Sequence, residues 1–298
     1  MSVIGRKIYW TCRKLAMRFF PETVIDSDWK KWKGYPVDWK NPRDINEKIQ
    51  WLMCRSDTSL WTVCADKYRV REYVASKGLE DILVPLLGVW KRAEDIDFES
   101  LPEKFVIKCN HDSGSTHIVD KSSPDYNPEA VRRDLKKHLK LRFGNVGGEM
   151  FYNSIPPRII AEKTLELAAG SVSMTDYKVW SFDGKPYVIM TCQNRTESGL
   201  DIDVYDTHWN ERRDACVFSS HYRESGEKLP PPASLERMLS AASILSKGFP
   251  EVRVDFYDVE GELYFGELTF SSLSGRMTYF TQSFLEELGA QCILPNAK

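Results

Sequence analysis

The segment from Glu251 to Gly275, EVRVDFYDVEGELYFGELTFSSLSG, constrains the fold of this chain more than any other. Val252, Val254 and Phe256 alternate with Arg253, Asp255 and Tyr257, Glu260-Gly261 supplies a turn, and Leu263-Tyr264-Phe265 resumes an apolar run. Period-two alternation about a turn signal is the pattern of a β-hairpin. A tight fold-back around Val259 to Gly261 places Asp255 and Glu267 near each other on paired arms, within reach of one divalent cation. Mg²⁺ suits such a site because it takes a few carboxylates and fills its octahedron with phosphate oxygens and water. The same alternation fits a half-buried hairpin whose charges simply face water.

A second hairpin is expected in KFVIKCNHDSGSTHIVDK, residues 104 to 121. Phe105-Val106-Ile107 is a buried-strand run and His117-Ile118-Val119 its return, which leaves Asn110 to Thr116 as a turn of small polar residues. Gly114 allows close approach of backbone N–H groups to an anion, Ser113, Ser115 and Thr116 can donate hydrogen bonds, and Lys108 supplies a point charge at the edge. This is a plausible phosphate clamp; a solvated hairpin tip has the same composition. Neither GxxxxGK[ST] nor GxGxxG occurs, which removes P-loop and dinucleotide-binding readings.

A third hairpin is expected where Asp176 to Phe182 alternates, Asp183-Gly184 turns and Tyr187 to Met190 runs on. Helices are expected over residues 45–52, over 62–79 with Lys67 near its start, over the basic segment 126–143, and over 234–247. Residues 158–163 read as a strand, 29–42 as a connector with extended pieces, and Ala168 to Gly170 as a loop. Asp201-Ile202-Asp203 is a DxD triplet in a loop-like region, a pattern that some nucleotide-sugar transferases use to hold a metal.

Residues 1 to 20 carry five basic side chains and no acid, with Ile4, Ile8, Cys12, Leu15 and Phe19 at helical spacing. This is a cationic amphipathic helix. It fits an anionic membrane interface or a helix packed on its own protein; Arg13 and Lys14 interrupt any signal-peptide core. The formal net charge of -2 gives no whole-protein case for nucleic-acid binding. Seven scattered cysteines without a CxxC pair argue for reduced thiols in a cytoplasmic protein and against structural zinc, even at Cys109, His111 and His117. No apolar run reaches the length of a membrane span.

As an ordered set, NPRDINEKIQWL, ADKYRVREYV, LPEKFVIKCNHDSGS, PPRIIAEKTLE, DYKVWSFDGK and RVDFYDVEGELYFGELTF resemble the ATP-grasp superfamily. The closest resemblance, over roughly residues 41 to 285, is to its TupA-like branch, associated with teichuronopeptide and other surface-polysaccharide synthesis. The resemblance implies an α+β ATP-grasp fold with two lobes and ATP between them. Residues 1–60 would be a short helical extension, 61–160 the first lobe and 161–298 the second. It assigns Lys67 and Lys108 to the ATP phosphates, and Asp112, Ser113, Gly114, Ser115 and Thr116 to the loop closing over them. Glu162 would meet adenine, Asp176 the ribose hydroxyls, and Lys178 would lie beside the nucleotide. Asp255 and Glu267 match the metal-binding acids, and Arg253 an arginine that stabilises a tetrahedral intermediate, with Lys108 as a further catalytic charge. Thr269 stands where the superfamily at large has a third metal ligand, Asn. Too few residues precede Lys67 for the α/β domain that usually helps bind the acceptor.

The implied reaction uses ATP and Mg²⁺ to activate a carboxylate as an acylphosphate, which an amine then attacks. The implied partners are a uronic-acid saccharide or sugar nucleotide and an amino acid or other small amine, with no nucleic acid. A glycosyltransferase using Asp201 and Asp203, or a noncatalytic nucleotide-binding scaffold, are the rival expectations.

Overall fold

The computed structural model describes residues 3–166, 173–226 and 228–297. The loop expected at Ala168 to Gly170 lies outside them. The chain opens with α1 (Val3–Phe19) and α2 (Pro21–Lys33), which pack on each other over a small core of Met17, Ile25, Trp29 and Val37. The expected connector over 29–42 is therefore corrected at its start, where α2 continues to Lys33. Pro21 presets the first turn, Ile25 and Trp29 bury one face four residues apart, and Gly34, at φ 84°, ends the helix in the left-handed conformation.

Next comes α3 (Ile45–Arg55), whose first turn is capped by Asp44, its carboxylate accepting the Glu47 N–H at 2.9 Å. The single helix expected over 62–79 is broken into α4 (Ser59–Cys64) and α5 (Val70–Ser76). The cause is Asp66, which is buried; its Oδ1 accepts the N–H groups of Tyr68 and Arg69 and the side-chain amide of Asn110, at 2.9, 3.3 and 2.7 Å. A side chain that takes its own downstream amides offers the backbone an alternative to the helix. Lys67 consequently sits in a turn, and its own N–H reaches the Asn110 carbonyl at 3.1 Å.

The smaller sheet is antiparallel and ordered β1-β4-β2-β3, from β1 (Leu86–Trp90), β2 (Lys104–Cys109), β3 (His117–Asp120) and β4 (Ile159–Lys163). Phe105, Ile107 and Ile159 of this sheet pack with Phe98 and with Leu135 of α6 (Pro128–His138). Asn127 caps that helix by accepting the Ala130 N–H. The short α7 (Gly144–Gly147) follows.

The larger sheet, ordered β10-β9-β5-β6-β7-β8, comprises β5 (Asp176–Phe182), β6 (Lys185–Thr196), β7 (Gly199–Asp206), β8 (Tyr222–Glu224), β9 (Val252–Val259) and β10 (Glu262–Thr269). All its pairings are antiparallel except β7 with β8. Both expected turns bear out their glycine signals: Asp183-Gly184 has φ 44° and 82°, Glu260-Gly261 φ 54° and 87°, the paired positive values of a type I′ turn. Between β8 and β9, α8 (Leu235–Ser246) lays Met238, Ala241, Ala242 and Leu245 against β5, β6 and β9; α9 (Gln282–Gln291) closes the chain against α3.

The loop expected around the DxD triplet is also corrected. Asp201 and Asp203 lie within β7, where Leu200, Ile202 and Val204 are all buried, and Asp201 is drawn onto Arg223 at 2.7 Å. Alternation decides what each face of the sheet carries. Registered neighbours Val179, Val254, Tyr177 and Phe256 turn toward one side, whereas Lys178, Arg253 and Asp255 turn toward the other. Asp203, paired with Thr191 and through it with Tyr177, shares the first side, so the triplet faces away from Asp255.

Candidate active site

Asp255 is the hub of the second face. The β9–β10 register pairs it directly with Glu267, across a bulge between Phe265 and Glu267, and the β5–β9 register pairs it with Lys178. The carboxylate is almost wholly buried. Arg253 grips it with two hydrogen bonds, Nε to Oδ1 at 2.6 Å and a terminal nitrogen to Oδ2 at 2.7 Å, while Lys178 Nζ donates to Oδ2 at 2.6 Å. Burial pushes the Asp255 carboxyl upward, but the two cations outweigh it and hold it below the usual carboxylate range. Arg253 and Lys178 are in turn raised, against desolvation, by Asp255.

Around this pair the network widens. Lys178 is 3.1 Å from Asp176, whose other neighbour is Arg195 at 3.2 Å. The Arg253 guanidinium lies 5.5 Å from the Trp180 ring centroid and donates to Thr269 Oγ1 and Ser272 Oγ, each at 3.0 Å. Thr269 passes its own hydroxyl hydrogen to Glu267 Oε1 at 3.2 Å. Glu267 is the open member, with 41% of its side chain exposed; burial raises its carboxyl, and Lys67, 3.7 Å from Oε2, and Arg253 bring it below the ordinary value.

Lys67 joins the two halves of the site. Besides facing Glu267, its Nζ donates to the Asp112 carbonyl at 2.9 Å, so one ammonium touches both the hairpin of the large sheet and the loop of the small one. Within that loop Ser113, Gly114 and Thr116 are exposed, and Gly114 adopts φ 93°. Asp112 and Ser115 are buried. Ser115 Oγ donates to Asp112 Oδ1 at 2.6 Å and accepts the Cys109 N–H at 2.9 Å, and Asp112 Oδ2 meets His138 Nδ1 at 2.5 Å. These two side chains hold the loop's shape, while Ser113, Gly114 and Thr116 are what it presents outward.

Lys108 and Glu162, on adjacent β2 and β4, pair at 2.7 Å; Arg71 of α5 takes the other Glu162 oxygen at 3.2 Å. The fold thus gathers Asp176, Lys178, Arg253, Asp255, Glu267, Thr269 and Lys67 into one connected cluster. Lys108 with Glu162 forms a second. Residues that sequence reasoning missed are Arg71, His138 and Ser272. Each finds its partner only after the chain has folded, and none carried a local signal.

Such an arrangement, an antiparallel hairpin sheet with buried cations on one face and a small lobe whose glycine loop reaches the same lysine, is that of an ATP-grasp fold. The family described as TupA-like ATPgrasp matches residues 47–293. The chain therefore belongs to the TupA-like ATP-grasp family. Among solved structures it is similar to the D-alanine–D-alanine ligase from Bacillus anthracis, at 19% identity and a TM-score of 0.43, covering 72% of this chain and 59% of that one. The corresponding enzyme from Helicobacter pylori gives 13% identity and a TM-score of 0.45, covering 84% and 67%. The ATP-grasp ligase PsnB complexed with minimal precursor gives 12% and 0.41, covering 83% and 66%. The chain thus spans 59% of the first of these ligases. No curated protein matches the sequence.

Proposed function

We propose that this protein is an ATP-dependent ligase that joins a carboxylate to an amine, with ATP held between the two sheets. The observation that carries the reading is Lys67, bonded to the Asp112 carbonyl and facing Glu267, a cation that would lie beside a phosphate chain running from loop to hairpin. The difficulty of the reaction is charge, because an anionic carboxylate must approach the polyphosphate. Lys67, Lys178 and Arg253, with Lys108 from the small sheet, are the groups on this chain that offset it. The exposed N–H and hydroxyl groups of Ser113, Gly114 and Thr116 suit oxyanions.

Mg²⁺ is the metal the family implies. Among the described residues, no three His, Cys, Asp or Glu side chains converge as a metal cage. The donors nonetheless fit a hard cation that keeps phosphate and water in its shell. A carboxylate offers roughly four acceptor positions; Asp255 has three hydrogen bonds and Glu267 is the more open of the two acids. Asp255, Glu267 and the Thr269 hydroxyl would hold the ion, which would add positive charge beside the transferring phosphoryl group. Arg253 would receive the charge that builds on a carboxyl oxygen as the amine attacks the acylphosphate. Asp176 would take the ribose hydroxyls and Glu162 would meet adenine, with Lys108 beside it directed to the phosphates.

We assign the carboxylate to a uronic acid of a surface polysaccharide or its precursor, and the amine to an amino acid or similar small molecule, on the strength of the family's association. The proposed setting is cytoplasmic. The test is ADP release from Mg-ATP across uronic acids paired with amines, with mass spectrometry of the product. A new amide mass with stoichiometric ADP supports the reading. Sugar-nucleotide consumption without ADP, or ATP binding with no turnover in any mixture, would overturn it.

A further inference from the structure

The first 40 residues hold nine basic and four acidic side chains, in a protein whose totals are 41 and 43. Each of the acids has partners within the chain. Glu22 pairs with Arg55 at 2.7 Å, Asp26 accepts the Val37 N–H and the Trp39 indole, Asp28 binds Arg13 and Arg276, and Asp38 accepts the amides of Lys40 and Asn41. Among the described residues, Lys14, Arg18, Lys30, Lys31 and Lys40 are exposed. Over residues 11–20 only Met17 is buried, and Arg13 turns inward to Asp28; Lys14, Leu15, Arg18, Phe19 and Phe20 are exposed. Leu15 with Phe19 and Lys14 with Arg18 are each four residues apart, so an apolar row and a cationic row run side by side along α1. In the sequence, Ile4 and Ile8 continue the spacing of the first row and Lys7 that of the second.

The exposure of the apolar row is large, 53% at Leu15, 64% at Phe19 and 67% at Phe20. The far end of α2 repeats the chemistry independently. Trp32 and Tyr35 are exposed there, with Lys33 Nζ 4.4 Å from the Trp32 centroid and Arg43 4.2 Å from the Tyr35 centroid, beside exposed Lys30 and Lys31. Aromatic rings flanked by lysine and arginine suit a boundary that is charged on one side and apolar on the other.

We propose that α1 and the end of α2 form a docking surface for an anionic lipid bilayer. A second copy of this chain is disfavoured by charge, since two α1 helices would bring like cations together. A nucleic acid would satisfy Lys14 and Arg18 but leave Leu15, Phe19 and Phe20 in water. A bilayer with anionic headgroups answers both rows at once, the cations at the phosphates and the apolar side chains just beneath. No helix among the described residues is long and apolar enough to cross a membrane, so the contact lies in the interface. This surface does not depend on the ligase reading.

The test is cosedimentation of the full chain with vesicles of phosphatidylcholine alone or with added phosphatidylglycerol, with no nucleotide present. Two variants accompany it, Lys14→Glu with Arg18→Glu and Phe19→Ser with Phe20→Ser, whose melting temperatures check that they fold. The expected result is salt-sensitive binding to the phosphatidylglycerol vesicles only. Each basic side chain should contribute about fivefold in partitioning, and both variants should fall to the phosphatidylcholine baseline. Failure of the wild-type chain to sediment with phosphatidylglycerol vesicles, including a case where it binds RNA instead, would overturn the proposal. So would wild-type binding retained by either variant.

Discussion

Lys178 and Asp255 face each other on adjacent strands β5 and β9, Nζ 2.6 Å from Oδ2, with the Arg253 guanidinium closing the other side of the same carboxylate. Asp255 therefore neutralises two cations that the sheet has taken out of water, in addition to the metal-holding role proposed for it. Removing one partner of a buried ion pair leaves an uncompensated charge and costs about 3–5 kcal/mol. Asp255→Asn should accordingly lower unfolding free energy by about 3 kcal/mol or more. Glu267→Gln, at the open edge of the cluster, should cost less than about 1 kcal/mol. Urea denaturation of both variants checks this, and equal, small losses would show that Arg253 and Lys178 have other means of compensation. The practical consequence is that Glu267→Gln is the cleaner probe of ADP formation, because loss of turnover in Asp255→Asn would mix chemistry with stability.

The acidic pH dependence of the same cluster follows in sign. Asp255 has its carboxyl held below the unfolded value of 3.8 by Arg253 and Lys178 against the pull of burial. A depressed acid contributes stability that is present above the unfolded pKa and lost as pH falls through the folded one. Stability measured by denaturant melts from neutral pH down should therefore decline below about pH 4, and that part of the decline should be absent from Asp255→Asn.

How far the sequence could be read differs between features, for physical reasons. The hairpin itself was accessible, because the two-residue turn at Glu260-Gly261 sets the register from Val259–Glu262 to Phe256–Phe265, but that register continued would oppose Asp255 to Gly266; the bulge between Phe265 and Glu267 is what brings Glu267 opposite Asp255. Asp176 and Lys178 lay on a strand whose alternation was also plain, and Lys108 followed directly on the apolar run Phe105-Val106-Ile107. The break at Lys67 was not accessible, because Asp66 captures its downstream amides in concert with Asn110, 44 residues away in sequence. Asp201 and Asp203 looked like loop acids because the charges mask the Leu200, Ile202 and Val204 alternation beneath them. Nothing local marks Ser272 as a partner of Arg253, nor Arg71 as a partner of Glu162, since the first contact depends on how the chain turns after β10 and the second on the packing of α5 against β4.

The loop after β10 is held by α3. Asn46 makes a reciprocal pair with the Met277 backbone, donating to its carbonyl at 3.1 Å and accepting its N–H at 3.0 Å, while Gln50 Nε2 donates to the Ser274 carbonyl at 2.6 Å. Leu273 and Ser274 in this loop have φ 47° and 52°, which non-glycine residues tolerate only when the surroundings insist. Asn46→Ala would strand two buried backbone groups and should cost about 2–4 kcal/mol. Gly275→Ala should also destabilise, because its φ is 65° and a new Cβ would lie 2.8 Å from Gln50 Nε2 and 3.0 Å from Ile49 Cγ2. Equilibrium unfolding of the two variants tests the clamp; near-neutral values in both would show that the loop holds itself.

A small gain is available at the hairpin turn. Glu260 occupies a left-handed position, φ 54°, followed by Gly261 at 87°, the arrangement for which Asn-Gly is the favoured pair. Glu260→Asn should stabilise by about 0.5 kcal/mol, read as a small rise in melting temperature. A fall would mean that Glu260 makes a compensating interaction in solution.

Glu251, at the entry to β9, gives the alkaline side of the stability profile. Its side chain is wholly buried, and neither carboxyl oxygen has a hydrogen-bond partner among the described residues. Burial pushes its carboxyl up to about 8, only partly opposed by Arg253. In the unfolded chain the same group titrates near 4.5. Between these values the unfolded state has released a proton that the folded state retains, so stability falls as pH rises from about 4.5 to about 8 and then levels off. At about 1.4 kcal/mol per pH unit the full loss is at most about 5 kcal/mol. Glu251→Gln keeps the shape and removes the titration. It should melt at a higher temperature than the wild-type chain at pH 8, with the gap closing toward pH 5. Parallel melting curves across that range would show that Glu251 finds a counter-ion or water once folded.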